Sequence, residues 1–271
     1  MGYNGAKFIR KVMNRSGYIV DIPNVGDLKE LIQSHPIDPY AESSDQLFPL
    51  GTKITQGERI WRHCKNGSAT PAAGEILQGA AIQHASASLD IVVDAVSNIG
   101  DTFISLTSDT DIAVAADYYK EGYIFINVGA GVGHSYKIKK HDKLNSTNTG
   151  EIVTLYDGLV IATATSSSKC GLKKNPYDAV IVTVNALSAA PVGVAPLLLT
   201  ASKYFWAQTG GRCAVIANAS ITIGTHVYAG TTAAKADPAI TDVKGITDIG
   251  YAMTAPNTSN EAFLCFLTLD R

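Results

Sequence analysis

The sequence predicts a mostly β protein: a β-barrel or sandwich core, an extended N-terminal arm and a second β subdomain. Three observations carry this. From Gly51 onward, short runs rich in Val, Ile, Thr and Tyr are punctuated by Gly, Asn, Asp and Pro at a spacing of about 8–12 residues. No segment sustains three or four heptads, and no amphipathic helix beyond about 12 residues can be drawn. Residues 1–50 differ from the rest, holding four of the ten prolines, Pro23, Pro36, Pro39 and Pro49.

Within that first segment only Asp27 to Ser34 reads as a short helix. The remainder reads as an arm whose aromatics, Tyr3, Phe8, Tyr18, Tyr40 and Phe48, need cover from this domain or a neighbour. Lys7, Arg10, Lys11 and Arg15 lie among them. Next, Lys53-Ile54-Thr55 and Arg59-Ile60-Trp61-Arg62 flank Gln56-Gly57-Glu58 as the arms of a hairpin do. Further strands are expected over 91–95, 102–107, 123–128, 136–139, 152–156, 179–184, 213–217, 225–229 and 262–269. Residues 51–85 and 186–271 are expected to form one β core, with 86–185 inserted as the second subdomain. Mostly non-adjacent pairing makes a closed or double-layered arrangement the natural one.

Apolar residues make up 46% of the 271 positions and charged ones only 17%, against roughly 25% in average soluble proteins. Much of the surface must then be Ser, Thr, Asn, Gly and Ala, which suits lasting contact with neighbours. A net charge of −2 supplies no positive field for phosphates or anionic lipid, so neither nucleic acid nor a membrane is an expected partner. No run of about 18 apolar residues and no export signal is visible. The N-terminal Met1-Gly2 lacks the Ser or Thr that a myristoylation site wants at position 6, where Ala6 stands. Cys64, Cys170, Cys213 and Cys265 stand far apart, without a CxxC pair, and are expected to be reduced, buried thiols of a protein made in a cytoplasm.

Several constellations invite a chemical reading. Asn127 to His134 is Gly-rich after a strand, but its third glycine comes one residue early for a dinucleotide fingerprint and the next residues alternate like a strand. A β-turn is expected. His63 and Cys64 adjoin within a strand and face opposite ways, which excludes a nucleophile–base pair. His134 and His141 do not have the spacing of a helical ligand pair. Asp109, Asp111 and Asp117, like Asp237, Asp242 and Asp248, read as loop acids, because an EF-hand pattern breaks after its second ligand. No catalytic residue, cofactor or metal is therefore expected. A carbohydrate-active β enzyme stays open as an alternative, since glycosidase carboxylates carry no local signature.

Tyr204-Phe205-Trp206-Ala207-Gln208-Thr209-Gly210-Gly211, following Val192-Gly193-Val194-Ala195, resembles a Y-G-W-V-Q-T-x-G stretch of structural proteins of tailed bacteriophages, with Phe205 in place of the usual Gly. Leu50-Gly51-Thr52, Trp61-Arg62 and Ala72-Ala73-Gly74-Glu75 are similar to that family's opening hairpin and following turn. Gly131 to Ile138 resembles its G-x-G-x-x-Y-x-I segment, and Asn175-Pro176-Tyr177 its N-P-Y. Ile249-Gly250-Tyr251-Ala252 and the run from Ala262 to Leu267 resemble the I-G-x-A turn and last strand of phage capsid cement proteins. The resemblance spans residues 50–271. It implies a head-decoration protein on the capsid surface of a virion, commonly a homotrimer, whose partner is the major capsid protein. A tail, collar or head-fibre component shares the same composition and remains the alternative. A major capsid protein is disfavoured, because the common shell fold carries a long spine helix and no segment here supports one. On this reading Tyr3, Phe8, Tyr18, Tyr40, Phe48 and Trp206 are interface candidates, and Trp206, with Tyr204 and Phe205, forms the densest aromatic group in the chain.

Overall fold

A computed structural model describes residues 10–13, 19–22, 37–80, 89–107, 113–145, 149–185, 187–229, 232–238 and 247–270. The described residues contain no α-helix. They fall into two compact units, one built from 1–81 and 176–271, the other from 82–175.

The first unit begins with strands β1 (Arg10–Met13), β2 (Ile19–Ile22), β3 (Lys53–Gln56) and β4 (Arg59–Lys65). β3 and β4 form the expected hairpin, with Lys53 opposite Arg62 and Gln56 opposite Arg59. Gly57, at φ +60°, supplies the left-handed residue that a two-residue turn requires. β5 (Ile76–Gln78), β12 (Ile181–Val182), β13 (Pro191–Val194), β14 (Tyr204–Ile216), β15 (His226–Ala229), β16 (Asp237–Pro238), β17 (Thr247–Ala252) and β18 (Ala262–Thr268) complete this unit. The main sheet runs β1-β2-β3-β4-β14-β18-β17-β15-β16, and β5, β12 and β13 branch from it.

β14 is longer than the sequence suggests. The aromatic motif and the strand expected over 213–217 are one continuous 13-residue element. Its first half pairs with β4, from Tyr204 opposite Lys65 to Gly210 opposite Ile60. Its second half pairs with β18, from Gly210 opposite Thr268 to Ile216 opposite Ala262. The Gly210-Gly211 step hides this continuity from a propensity reading, since paired glycines normally end a strand. Here Gly211 sits at φ +74°, and a Cβ on it would collide with the Glu58 carbonyl. Arg62 on β4 clamps the far end of the chain: its Nε and Nη2 donate to both oxygens of Asp270, at 2.7 and 2.8 Å. Burial alone would raise the Asp270 carboxyl, but the Arg62 hydrogen bonds and charge, with Thr209 and Lys53, outweigh it and leave it below its ordinary value.

The described parts of the 1–50 segment join this unit. β2 pairs with β3, Val20 lying opposite Ile54, and both are fully buried. Ile37, Phe48 and Leu50 are buried as well, and Ser43 bridges to Tyr204. An extended arm is thus tied into the sheet by ordinary ladder bonds and apolar cover, which its prolines obscured. The helix expected over 27–34 lies outside the described residues. The I-G-x-A stretch, read as a turn, is part of β17: Gly250 pairs with Leu267, and Ile249 and Ala252 are buried.

The second unit is a closed antiparallel barrel of β6 (Ile91–Val93), β7 (Phe103–Thr107), β8 (Tyr123–Val128), β9 (Ser135–His141), β10 (Glu151–Leu155) and β11 (Lys169–Lys173), in the order β10-β7-β6-β11-β8-β9. A six-stranded barrel is narrow enough for inward side chains to fill it. Ile104, Leu106, Ile124, Ile126, Ile138 and Val153 form the centre of one buried cluster, alternating with exposed or half-exposed residues in β8, β9 and β10, while in β7 the intervening Ser105 is buried too.

Because Gly211 has both a left-handed φ and a backbone carbonyl where a side chain would begin, Gly211→Ala should destabilise the protein by at least about 2 kcal/mol in a denaturant titration. A change below about 0.5 kcal/mol would show that the β4–β14 contact yields freely there.

Candidate functional site

Antiparallel pairing around the barrel places the ends of β6, β8 and β10 and the starts of β7, β9 and β11 at one end. Loops 94–102, 129–134 and 156–168 therefore gather there, while the chain enters and leaves the barrel at the opposite end. The loops are braced to one another. The Gly100 N–H donates to the Leu159 carbonyl at 2.8 Å, and the Leu159 N–H to that of Asp101 at 2.9 Å. Ser97 and Thr163 exchange bonds, the Thr163 N–H donating to the Ser97 carbonyl at 2.9 Å and the Ser97 N–H to the Thr163 hydroxyl at 3.1 Å. The Ser168 hydroxyl donates to the Ala130 carbonyl at 2.8 Å, and the Val160 N–H donates to the Tyr136 hydroxyl at 3.2 Å. Gly129, at φ +80°, lets the turn pass so close to Ser167 that a Cβ there would strike its carbonyl.

This frame holds large apolar side chains out in solvent. Ile99 is 70% exposed, Val132 58%, Val160 57% and Val96 52%, with Phe103, Val128 and Ile161 also exposed at the same end. Together the seven present on the order of 600 Å², the size of the largest patches on ordinary monomers and close to the roughly 800 Å² per partner of a standard interface. The three loops contain Asp94, Asp101, Asp157 and His134 but no Lys or Arg. Two of those acids are engaged locally: Asp101 accepts the Asn98 N–H at 2.7 Å, and Asp94 accepts the Ser105 and Thr107 hydroxyls at 3.4 and 3.3 Å. At about 25 cal/mol per Å², covering this end would release on the order of 15 kcal/mol gross, the same order as the roughly 4–15 kcal/mol cost of association. Ordered loops reduce that cost further, since little backbone freedom is left to lose. Sequence reasoning missed this end, because single valines and isoleucines spread over three polar loops form no pattern until the barrel closes.

The predicted interface residues part company. Trp206 and Phe48 meet in the first unit, their ring centroids 5.3 Å apart, and both are buried in a cluster with Val20, Ile37, Ile54 and Trp61. His63 packs against Trp206 at 4.9 Å and stacks on Tyr204 at 5.8 Å. Tyr40 is 53% exposed, its hydroxyl accepting from Arg59 at 3.2 Å. Tyr3, Phe8 and Tyr18 lie outside the described residues.

The other constellations resolve into structural roles. Asn127 and Val128 end β8, and Gly129 to His134 form the β8–β9 turn, with Gly129, Gly131 and Gly133 all at positive φ. His63 faces the aromatic cluster, whereas Cys64 faces Leu77, Val180 and Phe205. The buried His141 ring is satisfied at both nitrogens: Nε2 accepts the Tyr119 N–H at 2.8 Å and Nδ1 donates to the Asp142 carbonyl at 2.6 Å. Asp117 accepts the His141 N–H, Asp237 the Asn218 amide, and Asp248 contacts His226, while Asp109, Asp111 and Asp242 lie outside the described residues. Among the described residues no group of three or more His, Cys, Asp and Glu is placed to hold a metal ion. No protein family, no curated protein and no solved structure matches this chain.

Two outcomes follow from the aromatic cluster. Trp206→Ala should cost about 3–5 kcal/mol in chemical denaturation, as expected for a large ring removed from a core; a loss below about 0.5 kcal/mol would mean the ring contributes no packing. Burial pushes His63 down from 6.5 to about 4, against the partial upward pull of backbone hydrogen bonds at Phe48 and Pro49. The unfolded chain then binds the extra proton between pH 6.5 and 4, so this stability is complete above pH 6.5 and lost as pH falls toward 4. The shift corresponds to about 3 kcal/mol. Titrating stability of the native protein and of His63→Phe across that window should show the native curve falling more steeply by one proton; parallel curves would refute it.

Proposed function

We propose that this protein is a structural, non-enzymatic component of a bacteriophage virion, a decoration protein that sits on the capsid surface. Its partners on this reading are the major capsid protein and further copies of itself, in keeping with the homotrimers common in the family it resembles. The observation that carries the reading is the apolar barrel end, whose three hydrogen-bonded loops carry no Lys or Arg and present an area of the order of an interface. The resembling motifs add support. Their residues include the central pairings of the first unit, among them Trp61-Arg62 on β4, Tyr204 to Gly211 on β14 and Ala262 to Leu267 on β18.

The reading is tested on particles of the parent phage. A map of those particles should place the chain on the outside of the head, barrel end against its neighbours, and Ile99→Asp with Val160→Asp should lower its binding to undecorated heads at least ten-fold while leaving the fold intact. Each residue is more than half exposed, so neither change should unfold the barrel. Location in the tail, absence from the particle, or undiminished binding of the double variant would overturn the proposal.

A further inference from the structure

We propose that Cys213 and Cys265 are a cross-strand thiol pair that closes to a disulfide in an oxidising medium. Cys213 on β14 and Cys265 on β18 lie directly opposite each other, between the pairs Arg212–Phe266 and Ala214–Leu264. Directly opposite residues of antiparallel strands have Cα atoms about 4.5 or 5.5 Å apart, and both separations fall inside the roughly 4.4–6.8 Å that a disulfide spans. Both side chains turn to the same side of the sheet. Arg212 and Ala214 are exposed and Leu264 and Phe266 half-exposed, while the two cysteines are buried in one apolar cluster.

The other two cysteines have no such neighbour. Cys64 lies opposite Phe205, and Cys170 opposite Ile126 and Ile91. The register therefore singles out one pairing from four free thiols. Burial raises both thiols of the pair to about 12, which keeps them protonated and slow to react in the closed fold. The pair thus remains reduced until a disulfide oxidant reaches it.

With oxidised glutathione the step balances. Cys213, slightly exposed where Cys265 is fully buried, loses its proton and attacks the glutathione disulfide, releasing one glutathione thiolate. The deprotonated Cys265 then attacks the Cys213 sulfur of the mixed disulfide and releases the second. Two protein thiols are oxidised, one glutathione disulfide is reduced to two thiols, and the two protons pass to the departing thiolates. The new bond ties β18 to β14 and closes the chain between residues 213 and 265, which constrains the unfolded state.

The test is to refold the full chain in a mixture of oxidised and reduced glutathione, where both sulfurs are reachable during folding, and to identify linked peptides by mass spectrometry. The expected product joins Cys213 to Cys265, leaves Cys64 and Cys170 free, and has a thermal midpoint several degrees above that of the reduced protein, reversed by dithiothreitol. Cys265→Ala should instead retain glutathione on Cys213. Four titratable thiols after oxidative refolding, a link through Cys64 or Cys170, or a lasting glutathione adduct in the unsubstituted chain would overturn the inference.

Discussion

Strand β14 sets the first unit because its two halves satisfy their hydrogen bonds with different partners. From Tyr204 to Gly210 it is laddered to β4, and from Gly210 to Ile216 to β18. A strand that changes partner must pass a point where neighbouring backbones crowd it, and there the chain carries Gly210-Gly211. The main path of the sheet runs from this element outward, β3, β2 and β1 beyond β4 on one side and β17, β15 and β16 beyond β18 on the other, while β13 pairs with β14 itself and carries β5 and β12. The Arg62–Asp270 pair reinforces the same junction, bidentate and partly shielded, in the geometry that makes an arginine–carboxylate contact more than a surface decoration. By comparison, Arg212–Glu58 and His226–Asp248 are largely exposed and contribute little.

The barrel solves the same problem differently. Closing six strands removes the free edges that would otherwise recruit foreign strands, so contact by strand addition is not open to it. One end is rich in small and apolar residues, and its loops lose little freedom on contact because they are already bonded to one another. The fold and the proposed role meet here: the closed ladder supplies rigidity, and the apolar loop tips supply area.

Sparse charge ties the two units to one way of life. With few ionised groups, stability rests on burial and backbone pairing, and the chain generates little long-range field. Deeply buried polar groups illustrate the cost. His63 is held neutral among Phe48, Tyr204 and Trp206 by desolvation, whereas His141 is accommodated by partners at both ring nitrogens.

Local patterning determined the β class, the β3–β4 hairpin, the Gly-rich turn before Ser135 and the opposed faces of His63 and Cys64, because alternation and turn chemistry act over a few residues. It also singled out Trp206 and Phe48 as interface candidates, though not that they would find each other 158 positions apart in the chain. Long-range register decided the rest. The fusion of the 204–211 motif with the following strand, the use of Ile249 to Ala252 as a strand, and the seating of β2 beside β3 each depend on a partner distant in sequence. So does the apolar barrel end: Val96, Ile99, Val132 and Val160 become one surface only when six strands close and bring three loops together, an arrangement that no window of consecutive residues contains.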